Sequence, residues 1–216
     1  MTGTRRLRAD AERSTERILE AAEAVLAEDP GAPLERVADA AGLARATVHR
    51  RFSTRGALLE ALGARLDARY RQAFEESAAL TDEPRAALER LARRVFELKV
   101  GNRFALGLSD SPGEDVLDLL DRLVERLRAA GDVTASDAAW CRGVCLALLE
   151  QVHLLPAGSP ALDGDGPQDP GSPDDPERAG ARATLFVRAF LGALGPHGGS
   201  PAAGVSAARN PPAAGC

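Results

Sequence analysis

The segment AGLARATVHRRF, residues 41–52, concentrates side chains that can bind nucleic acid. Arg45, Arg50 and Arg51 lie in it, and it contains no carboxylate. A guanidinium can donate two hydrogen bonds to O6 and N7 of a guanine or donate to a phosphate, and the Thr47 methyl can contact the methyl of a thymine. The whole chain is acidic, with a formal net charge of −5 at pH 7. The basic patch is therefore local, which predicts one confined surface for a polyanion.

Residue spacing around this patch predicts a helix-turn-helix. A short helix over residues 34–41 is expected to end at Gly42, where a left-handed backbone permits a sharp turn. Ala38 is small where a second helix must cross closely, and Val48 is apolar and can reach the core between the two helices. The second helix is expected over residues 45–52.

The surrounding residues resemble the DNA-binding domain of the tetracycline-repressor (TetR) family of bacterial transcriptional regulators. The resemblance runs through RILEAAEAVLAE and PLERVADAAGLARATVHRRFSTRGALLEAL, about 50 residues in all. It includes the Gly42 turn, the Thr47-Val48-X-Arg50-X-Phe52 run and the Ser53-Thr54-Arg55 start of a fourth helix. The resemblance implies an N-terminal three-helix DNA-binding domain and a helical ligand-binding and dimerisation domain.

The sequence departs from the family pattern at four positions. Ala32 and Pro33 stand where a serine or threonine often caps the second helix and contacts phosphate. His49 replaces a common tyrosine, and Arg51 stands where histidine is common. Both replacements can still donate to phosphate.

The expected roles follow from position along the recognition helix, whose N-terminal end enters the major groove in helix-turn-helix proteins. Arg45, Ala46 and Thr47 are expected to read bases, and Arg51, His49 and Arg55 to hold phosphates. The predicted DNA-binding residues are Arg45, Ala46, Thr47, His49, Arg50, Arg51 and Arg55. An ordinary solvated helix face is the alternative interpretation of the arginines. The arginines at positions 5, 6 and 8 could add attraction or enter a minor groove, or could lie in a disordered arm.

Composition predicts an all-α protein of about nine helices. Ala, Leu, Glu and Arg dominate, whereas Ile18 is the only isoleucine and aromatic residues make up 4%. The segment 156–176 holds six prolines, four glycines and five aspartates, which predicts an acidic loop. The expected organisation is a flexible basic arm (1–9), a helix-turn-helix domain (10–55), an effector-binding and dimerisation domain (56–194) and a disordered tail (195–216).

Two C-terminal segments predict a homodimer. Residues 140–155 are apolar nearly all round, so both faces must be covered, and residues 181–194 carry an apolar stripe. Helices over about 134–155 and 177–194 are expected to form a four-helix interface across a two-fold axis, which family members also use. Two-fold symmetry predicts a palindromic operator.

An effector pocket is expected in the second domain, from residues that mix apolar walls with a few polar groups. The candidates are Phe96, Asn102, Arg103, Phe104, Trp140, Cys141, Cys145 and His153. Cys141 and Cys145 share a helix face, but no fourth zinc ligand is evident, so metal or redox sensing is the lesser alternative. No metal or other cofactor is expected.

These patterns favour a dimeric, ligand-responsive DNA-binding regulator and not an enzyme. The alternatives are a dimeric sensor or adaptor that has lost DNA binding, and an enzyme using Cys141 or Cys145 with His153, for which no orienting carboxylate can be located. The N-terminus lacks the apolar run of a secretory signal, and no run is long enough to cross a bilayer. The expected location is the cytoplasm.

Overall fold

The computed structural model describes residues 2–101, 112–156, 158–162 and 176–196. Within these ranges the chain forms eight α-helices, one short 3-10 helix and no strand. The all-α prediction is confirmed, with one helix fewer than the nine expected. The helices are α1 (Thr2–Glu28), α2 (Leu34–Ala41), α3 (Arg45–Arg51), α4 (Arg55–Glu76), α5 (Pro84–Gly101), α6 (Glu114–Ala130), α7 (Ala138–Leu154) and α8 (Pro176–Leu194).

Helix α1 begins earlier than expected. The sequence placed a flexible arm over residues 1–9 and a cap at Ser14 or Thr15, whereas the helix runs from Thr2. Both hydroxyls instead donate to carbonyls one turn back, Ser14 to Asp10 at 2.8 Å and Thr15 to Ala11 at 3.0 Å. Ser and Thr make such bonds inside a helix as well as at its start, and the Ala- and Arg-rich sequence favours the extension.

A first hydrophobic core joins α1, α2, α3 and the beginning of α4. Ile18, Val37 and Val48 are fully buried at its centre, and Leu58 and Leu62 enter it from α4. These residues recur at three- to four-residue spacing on their helices, so each helix turns one apolar face inward. The core ends with Leu62, seven residues inside α4.

A second core joins the remainder of α4 to α5, α6, α7 and α8. Phe96 of α5 meets Phe186 of α8 edge to face at 6.1 Å between ring centroids, and Phe186 stacks on Phe190 at 5.8 Å. Such aromatic pairs stabilise a core by more than the hydrophobic contribution of the area that they bury. Ala73 and Phe74 bring α4 into this core, so one helix belongs to both.

Ion pairs tie the middle of α4 to α1. Arg65 contacts Glu16 at 2.7 Å and Glu23 at 3.1 Å, and Arg69 contacts the same Glu23 carboxylate at 3.2 Å. The Arg65 side chain is only 19% exposed, so these contacts are screened less than an open surface pair. The first domain is thereby attached to α4 beyond its apolar contacts.

Several predicted features lie outside the described residues. They are Asn102, Arg103 and Phe104, residues 163–175 of the acidic loop, and residues 197–216 of the tail. At its described start, the loop segment contains a 3-10 helix at Pro160–Leu162, so it is not wholly irregular. No described helix has the length and apolar character needed to span a membrane.

Gly42 is the position where the turn between α2 and α3 demands glycine. Its φ of 62° is left-handed, and its N–H bonds to the carbonyls of Ala38 and Asp39 at the end of α2. A Cβ there would stand 3.3 Å from Nη2 of Arg17, which donates to the Ala41 carbonyl at 2.7 Å. Backbone conformation and side-chain packing both favour the absence of a side chain.

Gly42→Ala is therefore expected to lower the free energy of unfolding by about 1–2 kcal/mol. The matched control is Gly63→Ala, since Gly63 lies inside α4 with nothing within 4 Å of an added Cβ. It should raise stability by about 0.5–1 kcal/mol, because alanine favours the helix. Urea unfolding followed by circular dichroism measures both. An unchanged midpoint for Gly42→Ala would contradict this role for the turn.

Candidate nucleic-acid interface and internal cavity

Helix α3 is held by one buried side chain and exposes nearly all the others. Val48 is fully buried, and Phe52, just beyond the helix, is 6% exposed. Thr47 is half-buried. The remaining predicted contact residues of α3 are exposed: Arg45, Ala46, His49, Arg50 and Arg51. The helix thus presents a polar surface fixed in orientation by Val48 and Phe52.

Carboxylates from α2 lie next to this surface, although the segment 41–52 itself contains none. Asp39 is 3.9 Å from Arg45, and Glu35 is 3.5 Å from Nε2 of His49. The pKa of Glu35 is lowered, first by a hydrogen bond from its own backbone N–H and further by His49 and Arg45. The surface around α3 therefore includes negative charge from α2 that the segment 41–52 alone does not contain.

Arg50 and Arg51 are the arginines of α3 without a carboxylate partner anywhere in the described part of the chain. Arg45 and Asp39 are 65% and 69% exposed, so their contact contributes little to stability and can exchange for another anion. Positive charge on the exposed side of α3 is thus free to meet phosphate.

Arg55, predicted to hold a phosphate, is already engaged within the protein. Its guanidinium donates to the carbonyl of Ala32 at 2.8 Å and also to the carbonyl of Pro30. These bonds tie the start of α4 to the connection between α1 and α2. A phosphate contact for Arg55 stays a prediction, and its observed contacts are structural.

Arg36 of α2 contacts Asp29 at 3.1 Å, again within the protein.

At the start of α4, Thr54 accepts a hydrogen bond from the Ala57 N–H at 3.1 Å and so caps the helix. The start of α4 predicted from Ser53-Thr54-Arg55 is confirmed. The helix that follows α3 is thus anchored by a cap and by Arg55.

A cavity of about 890 Å³ lies between α4 and the helices of the second core. Its α4 wall recurs at helical spacing, with Leu59, Gly63, Leu66, Tyr70 and Phe74. Helices α5 to α8 supply the other walls. The volume is in the range of pockets that hold drug-sized ligands.

The candidate pocket residues fall into three groups. Cys145 and His153 line the cavity. Phe96 and Cys141 are fully buried in the second core but are not among the wall residues. Trp140 is 62% exposed on the outer face of α7, so its expected place in the wall is wrong for this structure. An apolar residue in a helix that is apolar all round can face either way, and the periodicity does not decide which.

The α4 wall was missed by sequence reasoning. Leu59, Leu66 and Tyr70 are seven and four residues apart, and this helical spacing was a usable signal for a common face. The cavity also has charged walls. Lys99 of α5 contacts Glu150 of α7 at 3.3 Å, and Asp67 of α4 accepts from the Gly113 N–H at 3.1 Å.

The pKa of Tyr70 reflects burial and negative charge at the wall of this cavity. Its pKa is raised to about 12, first by burial and further by the negative charges of Asp67 and Glu150. Two carboxylates from different helices therefore act on one buried phenol. The phenol stays protonated at neutral pH and can donate a hydrogen bond.

The thiols are unsuited to nucleophilic chemistry. Burial raises the pKa of Cys145 to about 12 and raises that of Cys141 as well. Since the thiolate is the nucleophile and the metal ligand, a raised pKa disfavours the reactive form of both thiols at neutral pH. Among the described residues, no three metal-ligating side chains converge.

Comparison with known proteins agrees with the arrangement of the first domain. Residues 18–62 match the family model of bacterial regulatory proteins, tetR family. The matched range begins at Ile18 and ends at Leu62, which are the first and last buried residues of the first core. No curated protein matches the chain.

Solved structures resemble the longer fold. The TetR-like transcriptional regulator LfrR from Mycobacterium smegmatis, in complex with proflavine, is 29% identical, with 65% of this chain and 83% of that chain covered and a TM-score of 0.50. A second structure of LfrR is 23% identical over 82% of this chain and 97% of that one, with a TM-score of 0.53. The TetR family transcriptional regulator PfmR from Thermus thermophilus is 22% identical over 80% and 97%, with a TM-score of 0.55.

These similarities cover both the helix-turn-helix and the helices that follow it. The resemblance predicted from the sequence is confirmed: residues 18–62 match the model of the tetR family of bacterial regulatory proteins, and the chain has the all-α fold of solved TetR regulators.

Proposed function

We propose that this protein is a transcriptional regulator that binds a palindromic DNA operator as a homodimer and is released by a small-molecule effector. The observation that carries the proposal is the exposed surface of α3, which Val48 fixes on the first core. Arg50 and Arg51 are free of carboxylates there. A rigid helix with an exposed cationic face suits insertion into a major groove.

The outer face of α7 supports the dimer. Trp140 and Leu154 are the large apolar side chains exposed on the described surface, at 62% and 55%. They are 14 residues apart, about four turns, and therefore lie on one side of the helix. Gly143, exposed between them on the same side, allows another helix to approach closely. We propose that α7 and α8 pair with their copies in a second subunit, as the sequence pattern suggested.

The cavity supports a role for an effector. LfrR, the 29% identical relative, forms a complex with proflavine. In this chain, α4 lines the cavity and also begins in the first core. Any ligand that shifts the α4 wall therefore acts on the helix that Arg55 attaches to the helix-turn-helix. We propose that this shift changes the separation of the two recognition helices in the dimer.

A sensor without DNA binding is the second candidate. Two observations favour it: Pro33, which precedes α2, provides no side-chain cap, and Asp39 and Glu35 lie next to the recognition helix. Electrophoretic shift with DNA adjacent to the protein's own gene separates the two candidates. A retarded band competed by specific DNA supports the regulator, and its absence at micromolar protein supports the sensor.

Arg45→Ala should weaken specific binding by roughly 1–3 kcal/mol and relax the preference at one base pair per half-site, because Arg45 lies at the groove-facing end of α3.

Arg51→Ala should weaken binding to all sequences alike, and should reduce the magnitude of the slope of log K against log salt by about two per dimer. Binding-site selection and salt titration measure these effects. The assignments fail if Arg45→Ala keeps the wild-type preference or Arg51→Ala keeps the wild-type slope.

Leu154→Glu should convert the dimer to monomer and abolish operator binding, because a carboxylate would be buried in the α7 interface. Sedimentation equilibrium measures the oligomeric state. The matched control is Arg122→Glu, an exposed charge on α6 away from that face. If Leu154→Glu remains dimeric, the interface lies elsewhere.

Filling the cavity should uncouple ligand from operator. A compound selected by thermal-shift screening is expected to weaken operator binding, and operator DNA to weaken the compound by the same factor, typically about 5- to 150-fold. Gly63→Leu adds a side chain where none is contacted within 4 Å, so it should block the compound and leave operator affinity unchanged. Fluorescence anisotropy with labelled operator measures both. Equal release of wild type and Gly63→Leu would place the effector elsewhere.

A further inference from the structure

We propose that the cavity binds a lipophilic organic cation and selects it through Asp67. This rests on the proposed function only in taking the cavity as the effector site. The walls of the cavity are mainly apolar. Leu66 and Phe74 of α4, Leu91 of α5, Leu120 of α6 and Phe186 of α8 all face the same space. A ligand that fills it must bury apolar surface, which is favourable in proportion to the area removed from water.

The charged side chains of the wall are predominantly acidic. They are the carboxylates of Glu60, Asp67 and Glu150 and the ammonium of Lys99. Three negative charges against one positive charge leave a net charge of −2, and a protonated His153 would still leave it at −1. The potential within the described walls therefore favours a positive ligand.

The pairing of these groups distinguishes Asp67 from Glu150. Glu150 already has a cationic partner, since Lys99 lies at 3.3 Å. Asp67 accepts a neutral hydrogen bond from the Gly113 N–H at 3.1 Å and has no basic partner among the described residues. Gly113 permits this approach, because a Cβ there would stand 2.7 Å from the second carboxylate oxygen of Asp67.

The solvation of Asp67 favours a cationic ligand over a neutral or an anionic one. In the empty cavity, water can solvate the half-exposed Asp67. A neutral apolar ligand would remove that water and leave an uncompensated carboxylate, which is costly. An anion would add repulsion, because the ammonium of Lys99 is already paired. A cation with an apolar body satisfies the walls and the carboxylate together.

The test compares two probes of nearly equal shape and opposite charge, the tetraphenylphosphonium cation and the tetraphenylborate anion. Calorimetric titration of the full-length protein without DNA should show binding of the cation and at least tenfold weaker binding of the anion. Gly63→Leu should abolish cation binding, which places the probe in the cavity. Equal or tighter binding of the anion would overturn the proposal, as would failure of both probes to bind.

Three variants test which side chains cause the preference for the cation. Asp67→Asn retains an oxygen that can accept from Gly113 and should weaken cation binding about tenfold, equivalent to about 1.4 kcal/mol. Lys99→Gln should strengthen it several-fold by removing the one ammonium of the described wall, a gain that misfolding cannot produce. Glu125→Gln, at an exposed site on α6 outside the cavity, should change nothing. Unchanged affinity in both Asp67→Asn and Lys99→Gln would refute the electrostatic selection.

Operator binding measured without any ligand distinguishes failure of the cation inference from failure of the proposed function. A protein that binds its operator but not the cation contradicts this inference and leaves the proposed function standing. A protein that binds the cation but no DNA contradicts the proposed function and leaves the cavity assignment standing. Cation binding together with cation-dependent release of operator supports both.

Discussion

The structure depends on one continuous helix that belongs to two hydrophobic cores. Helix α4 inserts Leu58 and Leu62 into the first core and Ala73 and Phe74 into the second. Its 22 residues extend about 33 Å at 1.5 Å per residue. An unbroken helix cannot shorten or bend easily, since its backbone hydrogen bonds run through every turn. In the proposed regulation, displacement of its cavity wall would therefore reach its first turn, where Arg55 donates to the carbonyl of Ala32 in the connection between α1 and α2.

Arginine serves two separate purposes in this chain. Several guanidiniums bond to backbone carbonyls: Arg17 to Ala41 and Arg182 to Leu155 at helix ends, and Arg55 to Ala32 in the connection between α1 and α2. Helix ends leave carbonyls without intrahelical partners, and the planar guanidinium with its five donors satisfies them well. The arginines of α3 have no such use, which is why an acidic chain can still present a local cationic surface. The α2 carboxylates Glu35 and Asp39 partly neutralise that surface.

Helix α7 is apolar nearly all round, and its two sides face different environments. Its inner side gives Cys145 and Leu149 to the cavity, and its outer side leaves Trp140 and Leu154 exposed. An isolated subunit would keep this outer apolar face in water, which favours association. In the proposed dimer, an occupant of the cavity and the partner subunit would contact opposite faces of this one helix.

The sequence alone determined the elements whose signals are local. Helices α2 and α3, the Gly42 turn and the start of α4 follow from capping, apolar spacing and backbone freedom within a few residues, and the family resemblance rests on that same stretch. Tertiary structure decided what depends on distant residues. Arg55 meets the Ala32 carbonyl 23 positions away, Asp67 meets the Gly113 N–H 46 positions away, and Trp140 faces outward. Helical periodicity shows that a residue lies on a face but not what covers that face, so the cavity wall and its charges emerged only when the helices were packed together.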